Sequence, residues 1–358
     1  MTRPPDGLGS RIERVLNEIR AGRLEAAEQV CASLLATQGD DPAVLQLAAT
    51  VALQRGQLAD AGRWIGSSLT LRPDHPPSLT LSGRIARAAG DLPRAISLFR
   101  QAQELAPHQP QASFLLCACL LQGRDPKAHD LLTRLLAQFP AEADGWFEIG
   151  AALEAAGQLE AAATTYARAA GHSRNPRHAG RLGLCLKSLG RLDEAIAALR
   201  QSLDLAPGQY ELRLALGACH RQRGDQKMAV AEYESAIGIN GADSRAWFAL
   251  GNARDDVRDR DGAIAAYRQA VQLLPELPEA HVNLGLDLQH SGDLAAARDC
   301  YRRAIALRPA SFGHIAQALT SGKTGQLWLN IEALRRSFIS GALAPGAEPP
   351  PVDAGPRQ

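Results

Sequence analysis

Alanine recurs as Ala27, Ala61, Ala95, Ala128, Ala162, Ala195, Ala229, Ala263 and Ala297, in steps of 34, 34, 33, 34, 33, 34, 34 and 34 residues. So constant an interval means one unit repeated, each copy leaning on its neighbours. Five residues before each alanine stands Gly22, Gly56, Gly90, Gly123, Gly157, Gly190, Gly224 or Gly292, with Arg258 as the departure. Twelve residues after it a breaker is usual: Pro73, Pro107, Pro140, Pro207, Pro275 and Pro309, with Gly39, Gly241 and Arg174 in the other copies.

These columns predict a helical hairpin. Glycine ends the first helix, because a left-handed cap is free of steric clash without a side chain. The second helix then runs about 14 residues until proline or glycine closes it. Within the first helix another small-residue column holds Gly83, Cys117, Gly150, Gly183, Gly217, Gly251 and Gly285, which lets the paired helix approach closely. Tyr166, Tyr233, Tyr267 and Tyr301 follow the alanine by one helical turn. A single hairpin cannot bury both its faces, so the hairpins must stack.

The residues of this repeat resemble the tetratricopeptide repeat. Trp146, Gly150, Gly157, Ala162, Tyr166 and Ala169 carry the likeness, and again Trp247, Gly251, Ala263, Tyr267, Ala270 and Pro275. The resemblance implies an all-α protein: a right-handed α-solenoid, or superhelix, of about nine hairpins plus a C-terminal capping helix. The expected units are 8–41, 42–75, 76–109, 110–142, 143–175, 176–209, 210–243, 244–277 and 278–311, the fourth and fifth each one residue short through a change in a helix or loop. Residues 1–7 and 341–358 read as disordered tails. Residues 312–340 read as caps, with Asn330 opening a final helix that carries Ile331, Leu334 and Phe338.

Composition narrows the function. Hydrophobic residues make up 46% of the chain and aromatic ones 4%, so small aliphatic side chains must fill the core. A net charge of +1 gives no electrostatic reason to bind nucleic acid. Only four of the 39 basic residues are lysine, a bias that fits a GC-rich bacterial genome. No apolar run has the length of a signal peptide or a membrane span, so no membrane insertion and a cytoplasmic location are expected.

Nothing in the sequence assembles a catalytic set, and neither an enzyme activity nor a cofactor is expected. Gly322-Lys323-Thr324 lacks the first glycine of a phosphate-binding loop, which would fall at Gln317, and no strand precedes it. Asp259-Arg260-Asp261-Gly262 lacks the outer ligands of a calcium loop, since Val257 and Arg268 occupy them, and it reads as a solvated turn. The cysteines at 31, 117, 119, 185, 219 and 300 lack metal-site spacing, and Cys119, Cys185 and Cys219 share one helical column, as buried small thiols would. Nine histidines are dispersed, and no segment supplies a nucleophile elbow for a Ser/His/Asp set.

The resemblance further implies a concave face lined by the first helices, with unit positions 2, 5, 9 and 12 pointing inward. Partner-binding candidates on that face are Arg84, Arg87, Phe114, Phe147, Glu154, Lys187, Arg221, Phe248, Asn252, Asp255, Asn283 and Gln289. Their signs alternate, and Phe114, Phe147 and Phe248 share one position as apolar anchors. The stretch Ala280 to Leu286, with Asn283, is similar to repeats of O-linked glycosyl transferases, but the matching positions Leu47, Leu81, Glu148, Arg181, Ala215 and Ala249 do not make an asparagine ladder. The expected role is an adaptor holding a protein or peptide. The alternative is a non-catalytic chain presenting substrate to a separate sulfotransferase or glycosyltransferase, since the 358 − 311 = 47 residues after the repeats are too few for such a domain. Self-association through the end repeats is a third option.

Overall fold

The structure, a computed structural model, describes residues 8–313 and Ile315. The expectations for residues 1–7, for a capping helix from Asn330 and for the tail lie outside the described residues. Eighteen α-helices and one 3-10 turn, with no strand, make up the described residues. The fold is an all-α solenoid of helical hairpins. It divides into two compact units, Met1–Glu194 and Ala195–Gln358.

The first unit begins with α1 (Leu8–Arg20), α2 (Leu24–Gln38), α3 (Pro42–Gln54) and α4 (Leu58–Leu71). It continues with α5 (Pro76–Ala88), α6 (Leu92–Leu105), α7 (Pro110–Gln122) and α8 (Lys127–Gln138). Helices α9 (Ala143–Ala155), α10 (Leu159–Gly171) and α11 (Pro176–Ser188) complete it, and α12 (Leu192–Leu205) starts at the boundary. The second unit holds α13 (Tyr210–Arg223), α14 (Gln226–Ile239), α15 (Ser244–Asp256), α16 (Arg260–Leu273), α17 (Pro278–His290) and α18 (Leu294–Leu307). A 3-10 turn at Pro309–Ser311 follows.

Five hairpins close with a glycine on the first helix meeting an aromatic ring on the second. Gly83 lies under Phe99, Gly150 under Tyr166, Gly217 under Tyr233, Gly251 under Tyr267 and Gly285 under Tyr301. Those rings and the alanine column are buried throughout. The first helices start on proline at α3, α5, α7, α11 and α17, whose fixed φ suits the first helical turn. Asp41, Asn175 and Asp243 cap three first helices by accepting backbone N–H bonds.

The turn glycines 22, 56, 90, 157, 190, 224 and 292 take the left-handed conformation, as their column predicts. At Gly90 the turn shows why. Gly90 N–H donates to Arg87 O at 3.0 Å and Asp91 N–H to Ala86 O at 2.9 Å, which satisfies the last carbonyls of α5. Where glycine is missing, Arg258 adopts φ 63 and keeps the same bonding, with Asp259 N–H on Arg254 O at 2.9 Å.

Gly123 corrects the sequence reading. The left-handed residue of that turn is Arg124, at φ 55, and Asp125 N–H donates to Leu120 O at 2.8 Å. Gly90 precedes its alanine by five positions, whereas Arg124 precedes Ala128 by four. The residue lost from the fourth copy is therefore lost between turn and second helix, and α8 starts three residues after its left-handed turn residue where α6 starts two after. The fifth copy loses its residue from the second helix itself, as α10 has 13 residues and α6 has 14. The consequence at α8 is large. Helix α7 packs directly along α9, with the Phe114 ring over Gly145 and 5.1 Å from Trp146, edge to face. Helix α8 stands away from α9. A cleft of about 840 Å³ opens between α8 and α10, lined by Leu132, Leu136, Trp146, Ala161, Thr165 and Arg168 among others.

Candidate functional site: the first-helix face

In the first unit the candidate residues are largely tied to one another. Arg87 on α5 pairs with Glu148 on α9 at 2.8 Å. Glu154 on α9 accepts from Tyr166 Oη of α10 and from Arg181 Nη2 of α11, both at 2.7 Å, so one carboxylate joins three helices. The Phe147 ring is half-buried, with the Arg177 guanidinium 5.2 Å from its centroid and the His178 ring at 5.0 Å. Arg84 and Lys187 are half-buried and have no ion-pair partner among the described residues.

Two candidates are not on an open face. Phe114 is 1% exposed, because α7 lies against α9 and draws the ring into the core. Gln289 is 4% exposed, and its Oε1 accepts from Tyr301 Oη at 2.8 Å. Neither can anchor a partner without unpacking its hairpin. Position in the repeat is a guide to direction only where neighbouring helices keep their usual spacing.

The second unit brings four candidates together. Arg221 from α13, Asn252 and Asp255 from α15, and Asn283 from α17 line one pocket of about 270 Å³. Asp256, Leu286, Asp287 and His290 complete its wall. Asn283 Nδ2 donates to Asn252 Oδ1 at 2.9 Å. Tyr267 Oη is 2.7 Å from Asp255 Oδ2 and 2.9 Å from Asn252 Oδ1. The aromatic ring that closes the α15–α16 hairpin thus also orients the pocket's polar groups. Arg221 Nε donates to Asp256 Oδ2 at 2.6 Å, and Phe248 packs half-buried against the Tyr267 ring.

Asp287 was not among the candidates, and it is the least ordinary residue in the pocket. It is 7% exposed, and its Oδ2 is buried with no hydrogen-bond partner. Arg260 Nε approaches its Oδ1 at 3.7 Å, too far for a hydrogen bond. Burial first, and the adjacent Asp255 carboxylate second, push its pKa up to about 7, with Arg260 opposing. The sequence did hold a signal. The corresponding positions in the first helices of the second to eighth copies are Val51, Ile85, Cys119, Ala152, Cys185, Cys219 and Ala253, all apolar and buried. A carboxylate in that column is a polar group where the fold asks for an apolar one.

No grouping of three or more histidine, cysteine or acidic side chains placed to hold a metal occurs among the described residues. Within the same residues no helix is long and apolar enough to cross a membrane. Five cysteines are buried and Cys300 is half-buried, with burial raising the thiols of Cys31 to about 11 and Cys117 to about 12.

Three sequence profiles described as tetratricopeptide repeat match the chain. One covers 80–128, 122–179 and 181–244, another 244–276 and the third 278–311. No curated protein matches the chain significantly. Among solved structures, MamA 41-end from Desulfovibrio magneticus RS-1 is 25% identical, with a TM-score of 0.45 over 47% of this chain and 96% of that one. The APC/C hetero-tetramer Cut9-Hcn1 is 18% identical, with a TM-score of 0.44 over 83% and 59%. YrrB, described as a TPR protein with an unusual peptide-binding site, is 14% identical, with a TM-score of 0.43 over 64% of this chain and 98% of that one. On its repeated hairpins and on profiles that run almost without a gap from 80 to 311, this chain belongs to the tetratricopeptide repeat family.

Proposed function

We propose that the protein is an interaction adaptor that holds a peptide or protein segment on the face carried by its first helices, without catalysing a reaction. One observation supports this reading above the others. Three successive first helices, α13, α15 and α17, aim a guanidinium, two amides and three carboxyls into one pocket. Amides and charged groups at regular rise suit an extended chain, whose peptide groups recur at a matching scale. The half-buried Phe248 and Leu286 beside them offer apolar contact. A cytoplasmic site of action in a bacterial cell fits the buried thiols and the arginine-heavy composition.

The test is selection of phage-displayed random decapeptides on the immobilised full chain. Peptides should enrich, and the Arg221→Glu and Asn283→Ala variants should weaken the enriched peptides roughly tenfold or more, the scale of one lost charged contact. Enrichment that both variants leave unchanged would move binding off this face.

A further inference from the structure

We infer that the carboxyls of Asp255 and Asp287 form a recognition point for one basic side chain, arginine or lysine, of the bound segment. The inference rests on the binding role proposed above and adds the chemistry of one ligand position.

The first argument is the orphaned oxygen. A buried carboxyl oxygen without a partner has lost its water and gained no donor in return. Asp287 Oδ2 is in that state, and the residue lines a pocket open to a ligand. The second is charge. Arg221, Asp255, Asp256 and Asp287 line the pocket, and Arg260 on α16 lies against Asp287. With every carboxyl ionised and His290 neutral, two positive and three negative groups leave one uncompensated negative charge. A proton can close that balance, and so can a guest cation. The third is the partnering already in place. Arg221 is engaged with Asp256 at 2.6 Å, so it does not neutralise the Asp255–Asp287 pair. Tyr267 presents its hydroxyl to Asp255 at 2.7 Å, which fixes that carboxylate's direction.

A guanidinium or ammonium fits what remains: two carboxyls at the floor of the pocket, with amides from Asn252 and Asn283 on its wall. Charge-assisted bonds to two carboxyls are about twice as strong as neutral ones, and a planar guanidinium can engage both. Binding a cation there must displace the proton that Asp287 holds, so affinity should rise with pH. Besides Asp255 and Asp287, the groups that face this point are Asp256 on α15, Arg260 and Tyr267 on α16, Arg221 on α13 and His290 on α17.

Decapeptides selected on the full chain at about pH 8 supply the probes. Each is remade with its arginines as citrulline and its lysines as acetyl-lysine, and affinities are measured by calorimetry for the wild type and for Asp287→Asn. The expected result is a basic residue whose neutralisation weakens wild-type binding about tenfold or more, with little further loss in Asp287→Asn. Wild-type affinity should fall up to about tenfold per pH unit below the Asp287 midpoint, and the slope should be shallower in the variant. Should Asp287→Asn fail to fold by circular dichroism, Asp255→Asn carries the same comparison. Peptides that bind equally well with citrulline and acetyl-lysine, or an Asp287→Asn variant with unchanged affinity and slope, overturn the inference and leave the adaptor reading standing. Calcium or manganese ions that bind the wild type and not Asp287→Asn assign the pair to a metal and overturn it as well. A selection that enriches nothing removes both readings.

Discussion

A Cβ at position 251 would stand 2.4 Å from Cε1 of Tyr267, inside the van der Waals radius of a ring that is itself 0% exposed. Gly251→Ala should therefore force the α15–α16 hairpin apart and cost about 2 kcal/mol in urea unfolding, within the range for overpacked cores. The two left-handed arginines run the other way. Arg258 at φ 63 and Arg124 at φ 55 bear a Cβ where it crowds the next carbonyl, at a cost of about 1–2 kcal/mol. Arg258→Gly should raise stability by about 1 kcal/mol, less than the full relief because glycine is freer when unfolded. Asp287 makes a pH-dependent prediction. Its folded pKa is raised above the unfolded carboxylate value, so the native state binds more protons, and its contribution is largest in acid and lost as pH rises through about 7. Asp287→Asn, which resembles the protonated form, should match the wild type near pH 4. It should exceed it by on the order of 2 kcal/mol at pH 8.5, a figure discounted for solvent reaching the open pocket. A thermal-shift series across that range reads the difference.

At the scale of elements, α8 is the exception among the hairpins. One residue is missing between Arg124 and Ala128, and α8 has no seat against α9. The gap is filled in part by Arg168, whose guanidinium stands 5.2 Å from the Trp146 ring centroid. An element with few packed neighbours opens locally at low cost. Hydrogen exchange should show α8 amides protected less than those of α10 in the same unit, by a factor of about ten or more, since about 1.4 kcal/mol of local stability corresponds to tenfold in protection. Equal protection would mean that α8 is held by contacts other than those to α7. The two first-helix candidates that proved buried, Phe114 and Gln289, belong to the same lesson. Phe114 is drawn inward because α7 and α9 meet directly, and Gln289 because Tyr301 takes its carbonyl.

Across the molecule, six cysteines sit at 31, 117, 119, 185, 219 and 300, so both units carry reporters of opening. Burial keeps all but Cys300 from solvent and raises the pKa of Cys31, Cys117, Cys119 and Cys185, which suppresses the reactive thiolate. Ellman's reagent at about pH 8 should titrate at most one thiol quickly in the native protein and six in denaturant. Several fast native thiols would show that the stack breathes as a whole. A bound peptide should slow the reaction of Cys219, because ligand that binds only the folded state stabilises it by mass action.

Sequence alone determined the repeat, its helical hairpins and most of its turns, because a 34-residue column of small side chains leaves the backbone one way to nest. It also named Arg221, Asn252, Asp255 and Asn283, which the structure gathers into one pocket. Tertiary structure decided what one residue more or less does. Whether a shortened copy shifts its turn or its helix depends on which carbonyls find donors, and at Arg124 the turn kept its bonds while α8 started one residue later. It alone exposed Asp287, since the same carboxylate would be an ordinary solvated residue on an outer face. Burial beside Asp255 without a hydrogen-bond partner is a property of three packed helices and of no single stretch of sequence.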